Sequence, residues 1–301
     1  MRRAVIIDTD PGLDDAVAIF LALACPEFDV LGITTVAGNI GLDTTTRNAG
    51  RLLSYAGRAD IPVVAGARKP LRREGIDEAA IHGCDGLGGV AFPEPAQRAA
   101  DDAVGWMATG LMALPAGTID VLALGPLTNI AILMRDHPDA ARRIGRIIAM
   151  GGAVHEKGNV GPRSEFNIAN DPEAADIVFG FGVPVTLIPL DVTRKVRADR
   201  AYVAELAASE RPGAQATARL IEAYFHGSDG RESRPLHDPC VMLQALRPDL
   251  FGTQALRLSV DMGDGEDAGA LNIDEAGHKI DVAMTVDGPK VLAVLAERLR
   301  A

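Results

Sequence analysis

Asp8-Thr9-Asp10-Pro11-Gly12-Leu13-Asp14-Asp15-Ala16 places four carboxylates within eight residues. Ala4 to Ile7, just before it, has the apolar run of a short buried strand, and Ala16 to Leu23, just after it, that of a buried helix. Pro11-Gly12 supplies the turn between them. The acids therefore gather where a strand ends and a helix begins, the place where open α/β sheets bind ligands. A helix N-terminus favours each negative charge by only about 0.3–1 kcal/mol. Crowded carboxylates push one another towards protonation unless a positive charge lies between them. Hard oxygen ligands in such a cluster suit Ca²⁺ or Mg²⁺. Taken singly, Asp14 and Asp15 also fit ordinary acids of a first helical turn, and Asp10 an exposed loop acid. The whole cluster at a strand end fits that plainer reading badly, because buried unpaired charge is so unfavourable.

The rest of the chain sets bounds on this site. With 301 residues and 48% hydrophobic content, the sequence reads as a globular protein able to bury a large core, and we expect a single domain spanning 1–301. The net charge of −11 leaves little basic surface, so neither nucleic acid nor a membrane is expected as a partner. Cys25, Cys84 and Cys240 are widely spaced, show no zinc pattern and fit a reduced, cytoplasmic thiol set. Four apolar residues before Asp8 are too few for a signal-peptide core, and the longest apolar run, Ala16 to Cys25, cannot span a bilayer.

Strand and helix patterns then alternate. Strands are predicted at 29–36, 61–65, 119–124, 144–150 and 183–190, with further candidates at 255–262, 270–273 and 280–286. Helices are predicted at 42–55, 101–114, from Pro126 to about 135, after the Asp171-Pro172-Glu173 start, over 199–225 with a break at Arg211-Pro212-Gly213, after His237-Asp238-Pro239, and at 289–299. This order predicts an α/β fold with a mostly parallel central sheet and helices on both faces. Long polar, Gly-bearing stretches at 66–100 and 226–236 are expected as loops that close over a ligand. The first of them holds His82-Gly83-Cys84-Asp85-Gly86-Leu87-Gly88-Gly89, where glycines would let backbone approach a ligand. The GxGxxG, GxxxxGK[ST] and GxSxG motifs are absent, which removes most support for dinucleotide, P-loop and serine-hydrolase readings.

Taken in order, several segments resemble the inosine-uridine-preferring nucleoside hydrolase family. They are Asp8 to Ala16, Val36-Ala-Gly-Asn39, His82 to Gly88, Gly125-Pro-Leu-Thr-Asn129, Met150-Gly-Gly152, Glu165-Phe-Asn167, Asp171-Pro-Glu-Ala174 and His237-Asp-Pro239. The resemblance implies an N-ribosyl hydrolase fold that holds one Ca²⁺ at the strand ends. Its metal ligands would be Asp10, Asp15, Asp238 and the main-chain carbonyl of Leu124. Ribose would be held by Asp14, Asn39, Asn159, Glu165 and Asn167, with His82 and His237 facing the nucleobase. The implied reaction is hydrolysis of the N-glycosidic bond of a ribonucleoside to ribose and free base, as in nucleoside salvage. Asp10 would act as general base on a water that the ion holds, and His237 as acid or electrostatic partner of the leaving base. The resemblance also implies a homodimer or homotetramer.

Each of these residues has a plainer alternative. Asn39 and Asn159 fit turn positions, and Glu165 and Asn167 fit exposed sites flanking a buried aromatic. Asp238 before Pro239 fits a helix cap as well as a ligand, and the sequence leaves both open. His137, His155, His226 and His278 carry no motif. Two other functions compete. Asp8-Thr-Asp10 after a buried strand invites a Mg²⁺-dependent phosphatase with an Asp nucleophile, resembling the haloacid dehalogenase group, although Pro11 to Asp15 departs from that pattern. A non-catalytic Ca²⁺- or ribose-binding module would keep the ligands without turnover.

Overall fold

The structure, a computed structural model, describes residues 2–225 and 232–301. Twelve strands are present among them: β1 (Arg3–Thr9), β2 (Phe28–Thr35), β3 (Val63–Ala65), β4 (Ala100–Asp101), β5 (Ile119–Ala123), β6 (Ile144–Met150), β7 (Val185–Ile188), β8 (Arg197–Asp199), β9 (Ser233–Pro235), β10 (Phe251–Val260), β11 (Leu271–Ile273) and β12 (His278–Val286). Ten form one sheet in the order β11-β10-β12-β7-β6-β5-β1-β2-β3-β4, and β8 pairs with β9 in a separate ribbon. From β4 across to β12 every neighbouring pair is parallel, while β10 joins β12 and β11 joins β10 antiparallel.

The chain winds outward from β1 through β2, β3 and β4, then returns to β5 on the other side of β1. The direction of winding thus reverses between β1 and β5, which opens a crevice at their C-terminal ends. Asp8 and Thr9 end β1 there, and Leu124 follows β5.

Strand side chains alternate between two apolar layers, as the two-residue period of a pleated strand requires. Val5, Ile7, Leu122 and Ile148 face one core, and Ile6, Val121, Ile147 and Ala149 face the other. The first core is closed by helices Leu13–Ala24, Pro212–Phe225, Pro239–Leu246 and Gly288–Arg300, the second by Ala103–Ala113, Thr128–Asp136 and Pro172–Gly180. Helix Leu13–Ala24 is buried without interruption from Leu13 to Ala22, because other helices surround it. Its first turn carries Asp14 and Asp15 into the interior.

Several local expectations change. Thr128, not Pro126, begins its helix, since Leu127 occupies the cap position. The predicted strand 183–190 contracts to β7, because Pro189 turns the chain into a short helix, Leu190–Thr193. Gly83, Gly86, Gly88 and Gly89 all have positive φ. The Asp85 carboxylate accepts from the Leu87 and Gly89 amides, so these glycines build a closed turn instead of a ligand cradle. Positions 226–231 of the expected loop 226–236 lie outside the described residues, and its remainder includes β9. Among the described residues no helix is long and apolar enough to cross a membrane.

One buried acid ties three segments together behind the crevice. Asp171 caps helix Pro172–Gly180 through the Ala174 amide (3.1 Å) and accepts from Thr128 Oγ1 (2.7 Å) and the Leu71 amide (2.9 Å). Asp171→Ala removes a cap and leaves two donors unpaired. It should lower unfolding free energy by about 2–4 kcal/mol in a denaturant titration. A loss below about 0.5 kcal/mol, the scale of an ordinary surface substitution, would contradict this role.

Candidate active site

Asp10, Asp14, Asp15 and Asp238 are each at most 6% exposed. Carboxylate oxygens of Asp14, Asp15 and Asp238 lie within 4.8 Å of one another. Three ionised carboxylates cannot sustain that proximity alone. Asp14 comes close to the start of the distant helix Pro239–Leu246, where the backbone N–H groups of His237 and Asp238 favour its ionised form. Asp238 stands at the cap position of that helix, but its backbone is helical (φ −66°, ψ −35°) and its side chain makes no capping hydrogen bond. The choice between cap and free carboxylate that the sequence left open falls to the free carboxylate.

Asp15 is fixed on every side. Thr9 Oγ1 donates to Oδ1 at 2.5 Å, and the Gly12 amide and Asn39 Nδ2 donate to Oδ2 at 3.0 Å each. Asp10 is anchored on one side only: the Asn39 amide donates to Oδ2 at 2.7 Å, while Oδ1 is buried with no hydrogen-bond partner. Gly38 and Gly125 pack against the two oxygens so closely that a Cβ on either would overlap the carboxylate. Asp8, at the end of β1, gives Oδ1 to Thr34 Oγ1 (2.5 Å) and Asn129 Nδ2 (2.8 Å). Asn129 also bonds the Thr35 carbonyl and the Ala67 amide, so it staples β1, β2 and the loop after β3.

Burial raises the pKa of Asp8, Asp10, Asp14 and Asp238. Asp8 is pushed up to about 6 by desolvation against its two hydrogen bonds. Asp14 is pushed up to about 7 by desolvation and by the charge of Asp15. Asp10 and Asp238 are raised well above the carboxylate range by desolvation first, then by their acidic neighbours. Both histidines go the other way, His82 to about 4 and His237 to about 3, chiefly because burial disfavours their charged form.

A cavity opens over this floor. Its lining includes Asp14, Asn39, His82, Leu124, Asn159, Glu165, Asn167, His237 and Asp238. Every residue expected to touch substrate therefore meets in one place, with Asp10 and Asp15 beneath. Glu165 and Asn167 are buried and do not sit at exposed strand positions. Glu165 caps a short helix, Phe166–Asn170, and accepts from the Gly152, Asn167 and Ile168 amides. Asn167 Nδ2 donates to the Leu124 carbonyl at 2.6 Å, using one of its two lone pairs. Asn159 is exposed at the rim and receives the Phe166 amide on Oδ1 at 2.9 Å. His82 takes the Leu13 amide on Nδ1 at 3.0 Å and stacks on Tyr224, 6.2 Å between centroids.

The lining also includes Glu78, Ile81, Met150 and Phe166, to which no substrate role attaches from sequence, and Tyr224, which belongs to the stretch expected to set base preference. Glu78 lies in a charged stretch without periodicity. Trp106, the only tryptophan, packs over Gly32 in β2, away from the cavity. A larger open groove of about 760 Å³ beside helix Gly288–Arg300 holds surface ion-pair residues such as Arg300 and Glu205, with no comparable cluster of acids.

Residues 5–293 match the family model described as inosine-uridine preferring nucleoside hydrolase. The chain belongs to this family. It is 41% identical to the pyrimidine-specific ribonucleoside hydrolase RihA of Citrobacter koseri, over 99% of this chain and 98% of that one. A plant nucleoside hydrolase, PpNRh1, superposes with a TM-score of 0.94 at 36% identity, covering 100% of both chains. A purine-preferring ribonucleoside hydrolase from Gardnerella vaginalis gives 0.91 at 30% identity, covering 99% of this chain and 98% of that one. The protein is thus a nucleoside hydrolase, and the phosphatase and binding-module readings give way. The mostly parallel sheet and its flanking helices are those of the nucleoside hydrolases.

The raised acids make the ion-free hydrolase sensitive to pH. A carboxyl group whose pKa is higher folded than unfolded stabilises the fold below its unfolded value, and that stabilisation is lost as pH rises through the folded value. For Asp8 and Asp14 the loss begins near the ordinary value of 3.8 and is complete at about pH 6 and 7 respectively. Chelator-treated protein should therefore melt at a lower temperature at pH 8 than at pH 5, and added Ca²⁺ should reverse the difference. A melting temperature that does not fall, or one that Ca²⁺ leaves unmoved, would contradict the electrostatic account.

Proposed function

We propose that this hydrolase cleaves the N-glycosidic bond of ribonucleosides in a Ca²⁺-dependent reaction, with Asp10 as general base. The observation that carries the reading is the buried, unpartnered Oδ1 of Asp10 beside three crowded carboxylates under a cavity lined by amides and acids. Among ribonucleosides, pyrimidine ones come first. RihA, the relative at 41% identity, is named pyrimidine-specific, and no indole lines this cavity.

The donor set fits a hard cation. Carboxylates of Asp10, Asp15 and Asp238 with the free lone pair of the Leu124 carbonyl form an all-oxygen set, which suits Ca²⁺. Bound there, the ion would supply the charge that lets these acids ionise together and the polarisation that readies a water for deprotonation. Asp10 Oδ2 is already tied to the Asn39 amide, so Oδ1 is the oxygen available to take the proton from the attacking water. Asp14, Asn39, Asn159, Glu165 and Asn167 would bind the ribose hydroxyls. The sugar becomes oxocarbenium-like as the bond to the base breaks, and these oxygens interact more strongly as its positive charge grows. Neutral His82 and His237 can each present one N–H to the base, and His237 would donate to it as it leaves.

A panel of ribonucleosides and 2′-deoxynucleosides, scored for free base, tests the substrate. Uridine and cytidine should be hydrolysed and their 2′-deoxy forms should not; equal rates on both sets would contradict recognition of the 2′-hydroxyl. Asp10→Asn, which keeps the shape but loses the basic oxygen, should lower kcat by about 10²–10⁴-fold. Turnover near wild type would remove Asp10 as the base.

A further inference from the structure

Thr193 touches the site from behind without lining the cavity. It is fully buried at the end of the short helix Leu190–Thr193, and its Oγ1 lies 2.7 Å from His237 Nδ1. That ring nitrogen is the only hydrogen-bond partner of the hydroxyl among the described residues. A hydroxyl can donate one proton, and an imidazole can accept it only on a nitrogen that carries none. The opposite arrangement, with the proton on Nδ1, would leave the threonine's own proton buried with no acceptor, which interiors avoid. The tautomer compatible with both groups has its proton on Nε2.

Both partners are held by backbone. The Thr193 amide donates to the Pro189 carbonyl (3.1 Å), and the Val196 amide to the Thr193 carbonyl (3.1 Å). The Val196 carbonyl in turn receives the Leu236 amide at 2.9 Å, one residue before His237. Asp191, on the same short helix, accepts from the Val154 and His155 amides, so the helix is pinned from its other side too. His82 repeats the pattern, because the Leu13 amide donates to its Nδ1 and leaves the proton on Nε2.

We propose that Thr193 is a positioning residue: it donates to Nδ1 of His237 and so keeps the proton on Nε2, the nitrogen left to meet the departing base. This rests on the reading of His237 as donor to that base. A valine would fill the same volume, so packing alone does not require a hydroxyl in this buried position.

The test compares Thr193→Val, Thr193→Ser and His237→Ala in the calcium-loaded enzyme, on uridine and on 4-nitrophenyl riboside, whose leaving group needs no proton. Thr193→Val should lower kcat on uridine by about 10–100-fold, the usual effect of losing a partner that orients an imidazole. It should leave the nitrophenyl substrate nearly unchanged, and Thr193→Ser should restore uridine turnover. Nitrogen-15 spectra of the histidines should show His237 protonated on Nε2 in the wild type and a mixed tautomer in the valine variant. Thr193→Ala replaces valine if that variant does not fold. Wild-type uridine turnover in Thr193→Val beside a crippled His237→Ala would overturn the inference alone, as would equal losses on both substrates or an unchanged tautomer. Full uridine activity in His237→Ala would instead remove the role of His237, and that of Thr193 with it.

Discussion

Repulsion among buried carboxylates is the constraint that governs this molecule. Asp10, Asp14, Asp15 and Asp238 occupy one small volume with almost no solvent, and among the described residues no lysine or arginine lines the cavity above them. Such an arrangement is unfavourable by itself and is resolved by protonation or by a cation. The fold does not relieve it. Asp15 is locked by three donors, and Asp10 by a peptide N–H and two glycines that leave no room to move. Stability at this spot is given up for a concentrated negative site, as functional centres often require.

The sheet makes that concentration possible. Winding outward in two directions from β1 brings the ends of β1, β2, β5 and β6 together at one crevice. Helix Leu13–Ala24 runs into the core from there, and helix Pro239–Leu246 packs beside it, so acids more than 200 residues apart in sequence come into contact. A layer behind them does the aiming: Asn129 and Thr34 hold Asp8, Asp171 ties down the loop at Leu71, and Asn167 bridges the Leu124 and Met150 carbonyls.

Much of this was legible in the sequence where one local pattern carried the information. Helix Leu42–Tyr55 and strand Ile144–Met150 begin and end where periodicity places them, and Asp171 caps as its Asp-Pro-Glu context predicts. The first acidic cluster was readable because a buried run and a Pro-Gly turn frame it. Polar groups whose partners lie far along the chain were not readable. Asn129 is 121 residues from Asp8, and their contact exists only once β1 and β5 are neighbours. The ribbon of β8 and β9 is too short and polar to show an alternating pattern.

Calcium binding, measured by calorimetry on chelator-stripped protein, tests the central claim most directly. The account predicts one Ca²⁺ per chain in the wild type and loss of that binding in both Asp15→Asn and Asp238→Asn, although these residues come from opposite ends of the sequence. Absence of binding to the wild type, or undiminished binding in both variants, would contradict a shared ion as the reason these acids are buried together.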